Sequence, residues 1–405
     1  MNEFEEIRDQ MLGRTYHRIV TVDSLPSPTF HMEGRQVVSF STNNYLGLAT
    51  SERLIDAARR GLERYGVGNC ESRLLGGNLE IYEHLEAKLA ALKQKESAVL
   101  FATGFLTNMG VLTALVSLSK IARIYGYRPR QHYKYVYFSD EFNHISIREG
   151  IRMSGASRVS YRHCDMANLE EKLRACGADM KIIVSDGVFS QDGDILPLPD
   201  MLQLADKYDA LVYIDDAHAT GILGDHGGGT TDYFNLNSPR LICMGTLSKA
   251  YGAIGGFVAT EKYLADMLRY ACSAYGFTST LPPDQAMAVS EAMDAVVDEP
   301  WRRDRLWENQ RRLLAGFDGL GCQVTCRDTC ILPVLVGDEA MCERHAAKLG
   351  ECGFHVDSVV FPAVPRGAAR LRFMANTNHT PEQIQAFIDA MGQLRGAGRN
   401  RCQQA

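Results

Sequence analysis

Six short apolar runs constrain this chain more than any other feature of its sequence. They are AVLFA (98–102), KYVYF (134–138), KIIVS (181–185), ALVYI (210–214), LICMG (241–245) and GGFVA (255–259). Each is continuous rather than alternating, and segments with helical apolar spacing lie between them. A strand with one wet face alternates, whereas a continuously apolar strand is covered on both faces. The runs therefore predict parallel strands in a doubly wound, mainly parallel α/β sheet with helices on both sides. From about Asp284 the pattern changes to amphipathic helices, then the β-like stretches CILPVLV and ARLRFMA, then a last helix. Thr380 and Gln383 form a capping box for that helix, and Pro381 takes its first position. Ser51 is placed to cap a helix whose apolar stripe is Leu54, Ile55, Ala58 and Leu62. The expected division is an N-terminal arm (1–50), a large α/β domain (51–285), a smaller C-terminal α+β domain (286–396) and a polar tail (397–405).

Composition removes whole classes of function. Among 405 residues, 43 Lys+Arg face 49 Asp+Glu, a formal net charge of −6, and 45% of residues are hydrophobic. Such a chain is too apolar for disorder and too mixed in sign for an electrostatic nucleic-acid binder. It has no uninterrupted run of 18 apolar residues, so stable membrane insertion is not expected. The polar start MNEFEEIRDQ lacks a signal-peptide core, which points to the cytoplasm. Eleven cysteines, an odd number with no CxxC, read as reduced thiols. Cys322, Cys326 and Cys330 are spaced too widely for a zinc site, and no metal is expected.

In an open parallel sheet, ligands bind beyond the carboxyl ends of the strands. The residues that follow the runs are chemical. They are Thr103, Gly104 and Phe105; His144; Asp186 and Ser190; Asp215, Asp216 and His218; and Thr246, Ser248 and Lys249. A lysine among hydroxyls and glycines, with an acid from a neighbouring strand, suits pyridoxal phosphate. The aldehyde needs an amine, the pyridine nitrogen a carboxylate, and the phosphate a cluster of N–H groups. A helix opening at TGF supplies those amides and a favourable dipole. The planar fork of Arg372 matches a carboxylate, as amino-acid recognition requires. Dinucleotide binding fits poorly, because GVGNCE (66–71) lacks a third glycine and no GK[ST] loop occurs.

From about Ser39 to the last helix, the chain resembles the α-oxoamine synthases, fold-type I pyridoxal phosphate enzymes. The motifs are STNNYLGLA, ATGFLTN, SDEFNH, SDGVFSQDGD, DDAHATG, GTLSKAYGAIGGF, FTSTLPP and VPRGAARLRF with NHT. The resemblance implies a decarboxylative condensation of a small amino acid (glycine, serine or alanine) with an acyl thioester, either acyl-CoA or acyl carrier protein. It implies that Lys249 holds the cofactor and moves the α-proton, that Asp215 partners the pyridine nitrogen, and that His144 stacks on the ring. His218 and Ser190 would meet the phenolic oxygen. Gly104 and Phe105, with Thr246 and Ser248, would meet the phosphate. Thr278 and Ser279 would reach the phosphate of the neighbouring protomer in a homodimer. Asn43 and Arg372 would hold the substrate carboxylate.

Several positions depart from that pattern. Asp186 stands where many relatives carry Glu, Tyr82 where a histidine is frequent, and Val360 where serine- and alanine-using relatives often have arginine. Asp186, Val360 and FPAVP lean toward the glycine-using branch, while SRLLGG and FTSTLPP lean toward the sphingolipid-forming one. The alternative is another fold-type I enzyme, an aminotransferase or decarboxylase; thiol release from a thioester separates the two. A non-catalytic subunit would not be expected to keep Lys249, Asp215, His144 and His218 together. Finally, the stretch 119–138 is basic and tyrosine-rich. It reads either as a solvated or dimer-edge loop or as a dock for an acidic donor, the coenzyme A phosphates or a carrier-protein helix.

Overall fold

The computed structural model describes residues 2–11 and 20–402. Its centre is a seven-stranded sheet in the spatial order Ser97–Phe101, Gly256–Thr260, Leu241–Thr246, Ala210–Asp215, Met180–Asp186, Tyr135–Asp140, Ser157–Tyr161. All six apolar runs lie in these strands, and their side chains pack into buried clusters on the two faces. Six strands run in one direction. Gly256–Thr260 is the exception, antiparallel to both of its neighbours. The GGFVA run was expected to be parallel. The cause is the connection, because residues 247–255 are too few for the crossover that a parallel partner requires.

The C-terminal part forms an antiparallel sheet of Ile331–Gly337, Ala369–Met374 and Asp357–Val359. A second small sheet pairs the hairpin Thr29–Met32/Arg35–Ser39 with Phe354–His355, which ties the N-terminal segment to the C-terminal region. The capping box at Thr380 and Gln383 forms in both directions, at 3.0 and 3.2 Å. Its helix runs Pro381–Cys402, so residues 397–402 of the expected tail are helical and 403–405 lie outside the described residues. Ser51 does sit at the N-cap of Glu52–Tyr65, but its side chain makes no capping hydrogen bond.

The helix Gly104–Ile124 has the length and hydropathy of a membrane span. Here it packs on Ile145–Ser154 and Lys262–Ala271, and its first turn faces the carboxyl ends of the strands. The basic stretch begins at its far end. Twenty-one residues at 1.5 Å each put that end about 30 Å from the first turn. This geometry favours the loop or dimer-edge reading of 119–138 over a dock that delivers a donor to the same sheet end.

One ion pair braces the sheet end from behind. Lys93 Nζ donates to Asp216 Oδ2 at 2.7 Å and to the Gly228 carbonyl at 2.7 Å, with both side chains fully buried. Thr230 donates to the same carboxylate through Oγ1 and N. Lys93→Met strands a buried charge and is expected to cost about 3–5 kcal/mol. A fall in urea midpoint for Lys93→Met, partly recovered in Lys93→Met/Asp216→Asn, is the measurement that checks this.

Candidate active site

The strand ends converge on a cavity of about 260 Å³. Eleven residues singled out in the sequence line it: Thr103, Gly104, Phe105, His144, Asp186, Ser190, Asp215, His218, Thr246, Ser248 and Lys249. Asn43, Arg372, Thr278 and Ser279 are not among its lining residues.

The phosphate end is built by a helix start. Thr103 caps Gly104–Ile124 by accepting from Leu106 N at 3.1 Å, which leaves the Gly104 and Phe105 amides without intrahelical acceptors. Space there is reserved for backbone. A Cβ on Gly256 would come within 2.6 Å of Gly104 N, and one on Gly104 would press on Thr246 Oγ1 at 3.0 Å. Thr246 and Ser248 share a hydroxyl hydrogen bond of 2.9 Å beside it.

The opposite end is acidic. Asp215 accepts from Asn108 Nδ2 at 2.6 Å and from Ala217 N at 3.0 Å. Asn108 also donates to Ser146 Oγ and accepts from Tyr213 OH. Asp186 lies directly across the sheet from Asp215. It accepts from His144 N through Oδ2, while its buried Oδ1 has no protein partner. Burial, and then the Asp215 charge, push the Asp186 carboxyl well above its ordinary range.

Lys249 Nζ lies 2.8 Å from His218 Nε2, and His218 Nδ1 lies 2.7 Å from Tyr45 OH, which donates to Asn43 Oδ1 at 3.2 Å. Burial, then Lys249 and Arg372, hold His218 well below its usual pKa, so it is neutral. The chain is satisfied when Lys249 donates to Nε2, Nδ1–H donates to Tyr45 and Tyr45 donates to Asn43. Burial lowers Lys249 to about 8, against the opposing pull of Asp215 and Asp186. His144 caps the helix Ile145–Ser154, and its Nδ1 accepts from Ser146 N. It is lowered too, chiefly by burial. The neutral ring with Nε2–H is thus the form that faces the cavity.

Arg372 donates to the Ser190 carbonyl at 3.1 Å and to Asp357 Oδ2 at 2.9 Å, while its buried Nε has no protein partner. Tyr82 is buried away from the cavity and donates to the Leu281 carbonyl at 3.0 Å. Cys322, Cys326 and Cys330 form no disulfide. Sequence reasoning missed Asn108, Ser146 and Tyr45. Asn108 carried a usable signal, since it stands four residues after Gly104 and therefore on the same helix face.

These residues fit pyridoxal phosphate. An amine of lowered pKa, a hydrogen-bonded carboxylate, an orphaned acid and open helix amides occupy one cavity of suitable size.

Comparison with known proteins agrees. The aminotransferase class I and II family model matches residues 35–391. The 8-amino-7-oxononanoate synthase 1 of Bacillus subtilis is 39% identical over 394 residues, covering 96% of this chain and 97% of that protein. The Sphingomonas wittichii serine palmitoyltransferase has the same fold at a TM-score of 0.88 and 27% identity, covering 98% of this chain and 97% of that one. A second structure of that enzyme type, solved with pyridoxal phosphate, also scores 0.88 at 27% identity, covering 98% and 97%. The chain belongs to the aminotransferase class I and II family. Within that family it is an α-oxoamine synthase, a pyridoxal-phosphate-dependent acyltransferase that joins an amino acid to an acyl thioester with loss of CO2.

The lowered amine sets a pH dependence with a definite sign. Only free amine attacks an aldehyde, so labelling of Lys249 by pyridoxal phosphate and borohydride should rise as pH climbs through about 8. A midpoint near the ordinary lysine value, or label on a peptide lacking Lys249, would contradict the assignment. Asn108→Leu, which removes one donor from Asp215, should keep the fold by circular dichroism and lower kcat about tenfold or more.

Proposed function

We propose that this enzyme condenses L-alanine with a seven-carbon acyl thioester bearing a terminal carboxylate, giving 8-amino-7-oxononanoate, CO2 and free thiol. The observation that carries this reading is the 39% identity with a relative of that name across almost the whole length of both chains. The product's own structure names its precursors. Carbons eight and nine with the amino group are alanine after loss of its carboxyl, and carbons one to seven are the acyl group.

The cofactor supplies an electron sink for the α-carbon. The chain supplies the rest. Lys249 Nζ, drawn down to about 8, holds and returns the α-proton at working pH, with neutral His218 as its neighbour at 2.8 Å. Asp215 keeps the ring nitrogen protonated, and Asn108 keeps Asp215 in place. Asp186, its carboxyl pushed upward by burial and then by the Asp215 charge, stands beside Asp215 with Oδ1 still unpartnered. His144 would cover the ring face, and Ser190 and His218 would meet its phenolic oxygen. Gly104, Phe105, Thr246 and Ser248 hold the phosphate. Arg372, which now donates to Ser190 and Asp357, would hold the amino-acid carboxylate together with Asn43.

Thr278 and Ser279 would reach the phosphate of the neighbouring protomer in a homodimer. None of the cysteines from Cys70 to Cys352 forms a disulfide, which supports a reducing compartment. Glycine as the amino acid is the second reading, favoured by Val360 and Asp186.

The test is a panel of alanine, glycine and serine with the dicarboxylic acyl thioester on coenzyme A and on carrier protein, following CO2 and thiol release. Alanine is expected to give the highest kcat/KM; an advantage for glycine or serine would overturn the choice. Arg372→Lys should raise the amino-acid KM about tenfold with little change in cofactor affinity.

A further inference from the structure

A charged cluster beside the site remains unused by the mechanism. His163 follows the edge strand Ser157–Tyr161 and stands between two loops. Its Nδ1 lies 3.1 Å from Asp140 Oδ1, and its Nε2 lies 2.7 Å from Asp194 Oδ2. Carboxylates only accept, so both ring nitrogens must carry protons and the ring is an imidazolium. Phe142 stacks on it at 4.6 Å, and Phe189 meets it edge-on at 4.4 Å. Burial opposes the charge, but the hydrogen bonds to Asp140 and Asp194 outweigh it and raise His163 to about 12.

The two acids belong to the two loops that present site residues. Asp140 is buried at the end of Tyr135–Asp140 and also accepts from Phe142 N at 2.9 Å and Cys164 N at 2.8 Å. Its loop ends four residues later in His144. Asp194 lies in a hairpin closed by the Val188/Ile195 bridge, and Ser190 is at the turn. On its other side this hairpin is gripped by the C-terminal region. Arg372 donates to the Ser190 carbonyl, Thr329 Oγ1 to the Gly193 carbonyl at 2.7 Å, and Arg370 to Asp192.

We propose that His163 is a positioning residue for the reaction, its imidazolium locking the loop that carries His144 to the hairpin that carries Ser190 and meets Arg372. This rests on the cofactor-facing roles given above to His144 and Ser190. The bridge is a cation between two anions, each anchored to a different segment. Removing the cation leaves two carboxylates facing each other, and both loops must shift to hydrate them. Catalytic geometry tolerates little of that. A shift near 1 Å costs about a hundredfold in rate.

The test is a double-mutant cycle on the holoenzyme. His163→Gln should lower kcat about tenfold to a hundredfold, with amino-acid KM changed less than threefold, and should reduce the visible circular dichroism of the bound cofactor. His163→Arg, which keeps a stacked, two-sided cation, should recover most of the rate. On a His144→Ala background, His163→Gln should cost less than about threefold. Asp194→Asn, on the more open side of the bridge, should show the same pattern in milder form if His163→Gln does not fold. A full-size loss on both backgrounds, or wild-type rate and dichroism in the single variants, would overturn the bridge. His144→Ala alone at wild-type rate would overturn the role of His144 instead, so the two failures are distinguishable.

Discussion

The structure turns on one placement, two carboxyl groups side by side in the same buried cavity. Asp186 and Asp215 face each other across neighbouring parallel strands. Two charges cannot share such a space cheaply, and burial together with the Asp215 charge raises Asp186. Asp215 receives Asn108 and Ala217, whereas Asp186 receives His144 N and is driven toward its neutral form. Asp215 is thus placed to hold a cationic ring nitrogen, and Asp186 is pushed toward protonation beside it. The basic groups answer the same balance. Lys249 falls to about 8, and His218 and His144 are kept neutral. Burial, set against the pull of Asp215 and Asp186, thus brings the Lys249 amine toward neutral pH.

Neighbouring residues in sequence take opposite duties. Asp215 looks into the cavity, and Asp216 looks back into the core toward Lys93. The buried pair fixes the backbone on which Asp215 and His218 ride, so the site's geometry is carried by a contact that never meets substrate. His163 plays a comparable part on the other flank, where loops rather than strands present the groups. In both places a fixed charge inside the protein replaces the water that would otherwise let a loop wander.

The sheet was legible because continuous apolar runs leave a strand few alternatives, and the site was legible because strand ends collect ligands. The direction of Gly256–Thr260 was not, since an apolar run carries no sign of which way it points; the short connection before it did. Asn108 and Ser146 were hidden among ordinary helix positions and became visible only when two helices met at Asp215. His163 was harder still. Its partners lie 23 and 31 residues away, and nothing local marks a histidine as held between two carboxylates. Arg372 shows the opposite case. The sequence suggested its chemistry, but its present partner, Asp357, is set by cross-strand register.

The claim that the Asp215 carboxylate governs the site can be measured at the atom it acts on. Nitrogen-15 NMR of enzyme reconstituted with ring-labelled pyridoxal phosphate reports the protonation of the pyridine nitrogen directly. The account requires a protonated nitrogen across neutral pH in the wild type and an unprotonated one in Asp215→Asn, with the cofactor still bound. A nitrogen protonated equally in both would contradict it.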